Sequence, residues 1–282
     1  MRRVLACLSV VAVLAAPLSA GEPDQRGADK LGWKLTLQSW TVHQTVSQSI
    51  DVAHKLGVRY IEIYPGQPLS PDDKAGFGPG MTEAQVKAVL DKAKASGVQV
   101  IDTGVINIPG KEDEARKLFA WAKKMGITTI ISEPDPKALP MIDRLAGEFG
   151  ITVGIHDHPK PSRYWDPHYV YGLIKDLKHV GFTADVGHWK RSGLEPVEVL
   201  RRYGDRVVSL HFKDLVPKEN GKDLHDVVWG TGQSKAADML AALKEKGFQG
   251  PIAIEFEYKW EIPTLQKCVD FFYEQADKLA AK

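Results

Sequence analysis

Apolar runs alternate with amphipathic stretches along the chain, and one punctuation recurs: a helical pattern, a glycine, then an apolar strand. It is seen in KLGVRYIEI, ASGVQVID, KMGITTII, EFGITVGI, HVGFTADV, RYGDRVVSL and EKGFQGPIAIE. Glycines 57, 97, 126, 150, 181, 204 and 247 suit the position just past a helix end, where a left-handed backbone is free of Cβ strain. Seven such junctions, with an opening strand from Leu35 to Trp40, predict eight strands.

The intervening segments carry their own helix signals. Thr82-Glu83-Ala84-Gln85 is a capping-box pattern ahead of Val86, Val89, Leu90 and Ala93 on one face. Asp166-Pro167 places a capping residue before a first-turn proline, and Ala115, Leu118, Phe119 and Ala122 form another apolar stripe. Strands alternating with helices demand right-handed crossovers and a parallel sheet. The expected fold class is therefore α/β, a single (β/α)8 TIM barrel over residues 35–282. A doubly wound open sheet is the competitor, but no G-x-G-x-x-G turn follows any strand, and polar residues end many strands instead of two. Long loops over residues 66–81 and 215–233 follow strands, which puts them on the catalytic face as candidate lids.

Before the barrel, Met1-Arg2-Arg3, the apolar run Val4 to Leu14 and the small residues Leu18-Ser19-Ala20 have the form of a secretory signal peptide over residues 1–20. Residues 21–34 then form an N-terminal extension, and the expected product is exported, periplasmic or secreted, with no membrane contact after cleavage. Cys7 leaves with the signal and Cys268 stays alone, so no internal disulfide is expected. A formal net charge of +1 gives no electrostatic reason for nucleic acid as a partner. A homo-oligomer is compatible with the chain.

In such a barrel the site lies at the C-terminal strand ends. These carry Glu62 in YIEIYP, Glu133 in IISEP, His156 and His158 in VGIHDHP, Asp185 and His188 in ADVGH, His211 and Lys213 in SLHFKD, and Glu255 and Glu257 in IAIEFE. Period-two alternation puts His156 with His158, His211 with Lys213, and Glu255 with Glu257 on common faces. Charges turned into an apolar barrel are costly unless they pair or bind something. Carboxylates and imidazoles converging from the last five strands suit Mn²⁺, Mg²⁺, Co²⁺ or Zn²⁺, and the lack of thiolates argues against a structural zinc. The competing reading is an internal ion-pair network at the barrel mouth. His156 is either a ligand or a donor that orients a carboxylate. Glu62 either pairs with a neighbouring lysine or arginine or touches substrate. Asp214 and Glu257 suit solvent or capping roles, while His43 and His225 follow the first and seventh strands and reach toward the site.

YIEIYPG, HDHP, ADVGHWKRSG, LHFKDL, the WGTG turn at 229–232 and the closing IAIEFE, in this order at successive strand ends, resemble the xylose isomerase-like TIM-barrel superfamily, especially its sugar phosphate isomerase/epimerase branch. The resemblance spans essentially the whole chain after the signal. It implies a divalent metal held by Asp185, His211 and Glu255 plus one ligand from the fourth or fifth strand. The family commonly supplies that ligand as a glutamate on the fifth strand. This chain has His156 there and Glu133 on the fourth, so Glu133 is expected as a ligand with His156 as a further ligand or close neighbour.

The chemistry implied is proton abstraction beside a carbonyl. Glu255 or His158 is the base, Lys213 and His188 hold the developing negative charge, and Glu62, Trp189 and His156 contact substrate. Epimerisation, isomerisation and β-elimination all remain open. Export favours a non-phosphorylated sugar, glycoside or keto-sugar. Two alternatives stand beside this: an AP endonuclease-like metal hydrolase, for which the usual further histidines are missing, and a non-catalytic carbohydrate-binding barrel using Trp40, Trp165, Trp189 and Trp229.

Overall fold

The computed structural model describes residues 26–221 and 223–281. The expected signal segment, residues 1–20, and the start of the extension lie outside these. The strands are β1 (Trp33–Gln38), β2 (Tyr60–Ile63), β3 (Gln99–Thr103), β4 (Thr129–Ser132), β5 (Thr152–His156), β6 (Val180–Asp185), β7 (Val207–Phe212), a pair β8 (Asp214–Pro217) and β9 (Leu224–Val227), and β10 (Gly250–Ile254). β1 to β7 and β10 close into a parallel barrel in the order β1-β10-β7-β6-β5-β4-β3-β2. β8 and β9 pair antiparallel outside it, within the long loop after β7. The expected α/β barrel is the observed one, and the open sheet is excluded by closure.

The first strand begins two residues before the expected Leu35, and Ser39–Thr41 turns into a 3₁₀ helix instead of extending it. Arg26–Leu31, read as extension, is a helix, and the Gly27 amide donates to Asp277 Oδ1 on the last helix at 3.0 Å. Both predicted helix starts are present: Thr82 makes its capping box with Gln85, and Asp166 caps the helix that opens with Pro167.

Glycines 57, 97, 126, 150 and 247 do adopt left-handed angles. Gly181 and Gly204 do not serve that purpose. Gly181 lies inside β6, where an added Cβ would stand 2.5 Å from the Arg206 carbonyl oxygen, and Gly204 has φ −63° and faces the Lys246 stem. Close backbone approach, not helix termination, explains the glycine at 181. Gly181→Ala is therefore expected to destabilise the barrel by about 1–3 kcal/mol, read as a lower denaturation midpoint at unchanged slope.

Alternation sorts the barrel residues into two sets. Leu37, Ile61, Val153, Ile155, Leu210, Phe212, Ile252 and Ile254 are buried in the apolar core with the surrounding helices. Thr36, Gln38, Glu62, His156, Thr183, Asp185, Ser209, His211 and Glu255 are buried polar residues. Glu62 on β2 and His211 on β7 are separated in the sheet by β1 and β10, yet their side chains meet at 3.1 Å, so both point into the barrel. Beneath them the interior is small and polar: Thr183 and Ser209 share a 2.6 Å hydrogen bond.

The loops at the mouth are pinned. Gln67 is buried, accepts from Ser39 Oγ at 2.7 Å and donates to Gln44 O and Ser49 Oγ. Asp214 accepts from the amides of Gly230, Gly232 and Ser234, each at 2.9 Å, which ties the WGTG turn to the β8–β9 pair. Asp214 thus serves the loop.

Candidate metal centre and active-site cavity

Asp185 ends β6 and caps the short helix Val186–Arg191, its Oδ1 accepting from the His188 amide at 2.8 Å. The spacing of Asp185 and His188 is thus a helix-capping geometry, and it leaves Oδ2 free to face the barrel axis. Asp157 supports the corner from behind, its Oδ1 accepting the Asp185 amide at 2.9 Å. Burial opposes the charged Asp185 carboxylate, but His188, Lys213 and His156 outweigh it and hold its pKa well below the usual range.

Three histidines face this oxygen: His188 with Nε2 at 3.4 Å, and His211 and His156, which each have a carboxylate on the far nitrogen. His211 sets Nε2 against both oxygens of Glu62, at 3.1 and 3.2 Å, and Nδ1 lies 3.9 Å from Asp185 Oδ2 and 3.1 Å from Glu255 Oε2. His156 sets Nδ1 3.0 Å from Glu133 Oε1, and its Nε2 lies 3.8 Å from Asp185 Oδ2. A proton given to the rear carboxylate leaves the lone pair of the other nitrogen turned inward, the arrangement by which proteins orient metal-binding imidazoles.

The inward atoms fit a divalent cation. Asp185 Oδ2, His211 Nδ1 and Glu255 Oε2 are buried without a well-directed hydrogen bond among the described residues, and the donor atoms of these three residues lie within 4.8 Å of one another. Lys213 gives the two oxygens a nearby charge but no directed hydrogen bond, and buried polar atoms left in that state are costly unless a further partner satisfies them. Oxygen and imidazole donors without thiolate are the chemistry of Mn²⁺, Co²⁺, Mg²⁺ or Zn²⁺.

Lys213 is also here. Its Nζ stands 3.0 Å from Asp185 Oδ2, 2.8 Å from Glu255 Oε2 and 2.9 Å from Glu257 Oε2, fully buried. Burial alone would discharge it, but the three carboxylates raise its pKa and keep it an ammonium. Arg191 continues the network to Glu257 at 3.0 Å and Asp226 at 3.3 Å, which fixes β9 to the mouth. Arg191 also reaches His188 Nδ1 at 3.1 Å. With Nδ1 accepting from arginine, the His188 proton sits on Nε2, and burial lowers the pKa of this imidazole to about 3, so it is a neutral donor.

A cavity of about 350 Å³ opens above these residues, lined by Gln38, Trp40, Tyr64, Pro65, Gly104, Val105, His156, His158, His188, Glu255 and Glu257. His158 is half exposed, its Nδ1 in a short contact with Glu133 Oε1. Burial works to raise the Glu133 carboxyl, but hydrogen bonds from His156 and His158 outweigh it and bring it to about 2. Glu133 therefore stays ionised and aligns both rings.

Of the residues expected from sequence, His156, His158, His188 and Glu255 line the cavity, and Asp185 and His211 stand beneath it. Three do not line the cavity. Glu62 is buried against His211 and Gln38, Lys213 is enclosed by carboxylates, and Trp189 is 1% exposed, packed on Phe182. Glu133 groups with His156 and His158, apart from Asp185, His211 and Glu255. His43 packs on Trp40, and His225 on Tyr258, outside the cavity lining. Missed altogether was Gln38, whose Oε1 accepts the Trp40 amide at 2.8 Å while Nε2 donates to Glu62 at 2.7 Å. Its polar position on the same face as Thr36 was the available signal. Glu257, placed in solvent or at a cap by sequence, lines the cavity and pairs with Lys213 and Arg191.

Residues 137–275 match a family described as xylose isomerase-like TIM barrel. An uncharacterized protein of Parabacteroides distasonis with a crystal structure is 29% identical, with a TM-score of 0.70 over 86% of this chain and 99% of that one. A D-tagatose 3-epimerase-like protein, 16% identical, superposes with a TM-score of 0.66 over 88% of this chain and all of that one, a likeness of fold alone. An inosose dehydratase of Lacticaseibacillus casei is 28% identical over 97 residues, 30% of this chain and 33% of that enzyme.

Proposed function

We propose that this barrel, of which residues 137–275 match the xylose isomerase-like TIM barrel family, is a divalent-metal-dependent isomerase, epimerase or lyase that abstracts a proton beside the carbonyl of a non-phosphorylated sugar. The observation that carries this reading is that Asp185, His211 and Glu255 bring ligand atoms within 4.8 Å of one another, with His156 Nε2 3.8 Å from Asp185 Oδ2, beside a cavity that His156 and Glu255 line, and with a carboxylate behind each of His156 and His211. These four residues would hold the ion. When bound, it polarises a carbonyl and its neighbouring hydroxyl and so acidifies the adjacent C–H.

His158 is the base in this reading. Glu133 engages its Nδ1, which turns Nε2 toward the cavity, and its exposure lets the proton leave to solvent. Glu255 is the weaker candidate, because its Oε2 is assigned to the ion and already pairs with Lys213 at 2.8 Å. His188 Nε2–H donates to a substrate oxygen as negative charge grows. Return of the proton to the other face gives an epimer, return to another carbon gives an isomer, and departure of a β-substituent gives elimination. The partial likeness to an inosose dehydratase supports keeping elimination among these.

The cavity lining supports a substrate without phosphate. It contains two glutamates and three histidines but no lysine or arginine, so a phosphate dianion would meet like charge. Trp40, 42% exposed at the rim and flanked by Tyr64 at 5.2 Å, offers an apolar face to a sugar ring. We include export in the proposal on the strength of the Met1–Ala20 pattern.

The test is hydrogen exchange. Keto-sugars and glycosides incubated with the Mn²⁺-supplied protein in D₂O are expected to lose one C–H signal by NMR. Activity confined to phosphorylated sugars would overturn the substrate class. Tight sugar binding without exchange would instead make the protein a carbohydrate-binding barrel.

A smaller effect is expected behind His211. Glu62→Gln keeps an acceptor for Nε2 but removes the charge that makes His211 a strong donor. Mn²⁺ affinity should fall about 10- to 100-fold, measured by calorimetric titration.

A further inference from the structure

Lys213 is not explained by the reaction just described. Its ammonium is fully buried and lies outside the cavity lining. Yet it stands 3.0 Å from Asp185 Oδ2 and 2.8 Å from Glu255 Oε2, the same two oxygens assigned to the metal, with Glu257 as a third partner. The fold makes room for it: a Cβ on Gly187 would lie 2.6 Å from Lys213 Cδ. An ordinary side chain at 187 would displace the lysine stem.

We propose that Lys213 is an internal competitor for the metal, a fixed cation that shares the Asp185 and Glu255 oxygens and thereby holds the site's affinity for divalent ions down. The inference rests on the metal reading above. Buried carboxylates need a positive partner whether or not an ion is bound, and Lys213 supplies one at all times. The same charge repels an incoming dication across a short, poorly screened distance. Its ion pairs also hold the carboxylates in place, an effect of opposite sign. In a buried site repulsion between full charges exceeds alignment, so the net result is a weaker, more readily exchanged metal.

The experiment is calorimetric titration of MnCl₂ into the metal-stripped full chain, wild type against Lys213→Met. The variant is expected to bind at least about tenfold more tightly, about 1.4 kcal/mol. Its metal-free form should melt below wild type, and saturating Mn²⁺ should narrow that gap. If Lys213→Met does not fold without metal, Glu257→Gln is compared with Lys213→Met/Glu257→Gln, which removes a carboxylate along with the ammonium and should show the same tightening. Equal or weaker binding in the lysine variants, with wild type still binding Mn²⁺, overturns the inference and leaves the metal reading standing. Absence of binding by every protein overturns both.

Discussion

Asp185→Asn is expected to fold normally and to lose nearly all turnover. Asparagine still offers the side-chain oxygen that accepts the His188 amide, and it caps helices about as well as aspartate. What disappears is the negative charge of Oδ2, which faces His156, His188, His211 and Lys213 together. Partners that merely orient ligands are worth about 10- to 100-fold in metal affinity, and a direct anionic ligand exceeds that. A Lewis acid lowers the barrier by several kcal/mol, so turnover should fall by at least about 10³-fold. Metal content after dialysis and the C–H exchange rate, measured on the same preparation, check both parts. Near wild-type values for the two would remove Asp185 from the centre.

His158→Asn should give the second largest effect, with a different signature. The imidazole is half exposed, so its loss costs little stability. Exchange should fall about 10²- to 10⁴-fold, the usual worth of a positioned base, while Mn²⁺ affinity stays close to that of wild type. Glu255→Gln is the control. If the base were Glu255, its variant would lose exchange at intact metal affinity and His158→Asn would keep it.

The barrel was legible because its signals are local. Helix, glycine and apolar strand follow one another within a dozen residues, and Thr82 and Asp166 declare their helices by themselves. The polar strand ends were legible for the same reason, since alternation alone puts His211 and Glu255 on inward faces. What escaped depends on pairings across the barrel. Glu62 meets His211 from 149 residues away, which buries it beside an imidazole and outside the cavity lining. Glu133 is drawn to two imidazoles at once, so its side chain turns to their rear nitrogens. Lys213 alternates with His211 as expected, but the three carboxylates around it come from β6 and the end of β10. Gly181 was misread through its neighbours in sequence, whereas close approach to Arg206 decides its role, and Trp189 is buried on Phe182 outside the cavity lining.

The most direct test of the central claim is an anomalous difference map from crystals soaked in MnCl₂. The account predicts a single strong peak bounded by His156 Nε2, Asp185 Oδ2, His211 Nδ1 and Glu255 Oε2. A peak elsewhere, or none at saturating Mn²⁺ in a well-ordered barrel, would contradict it.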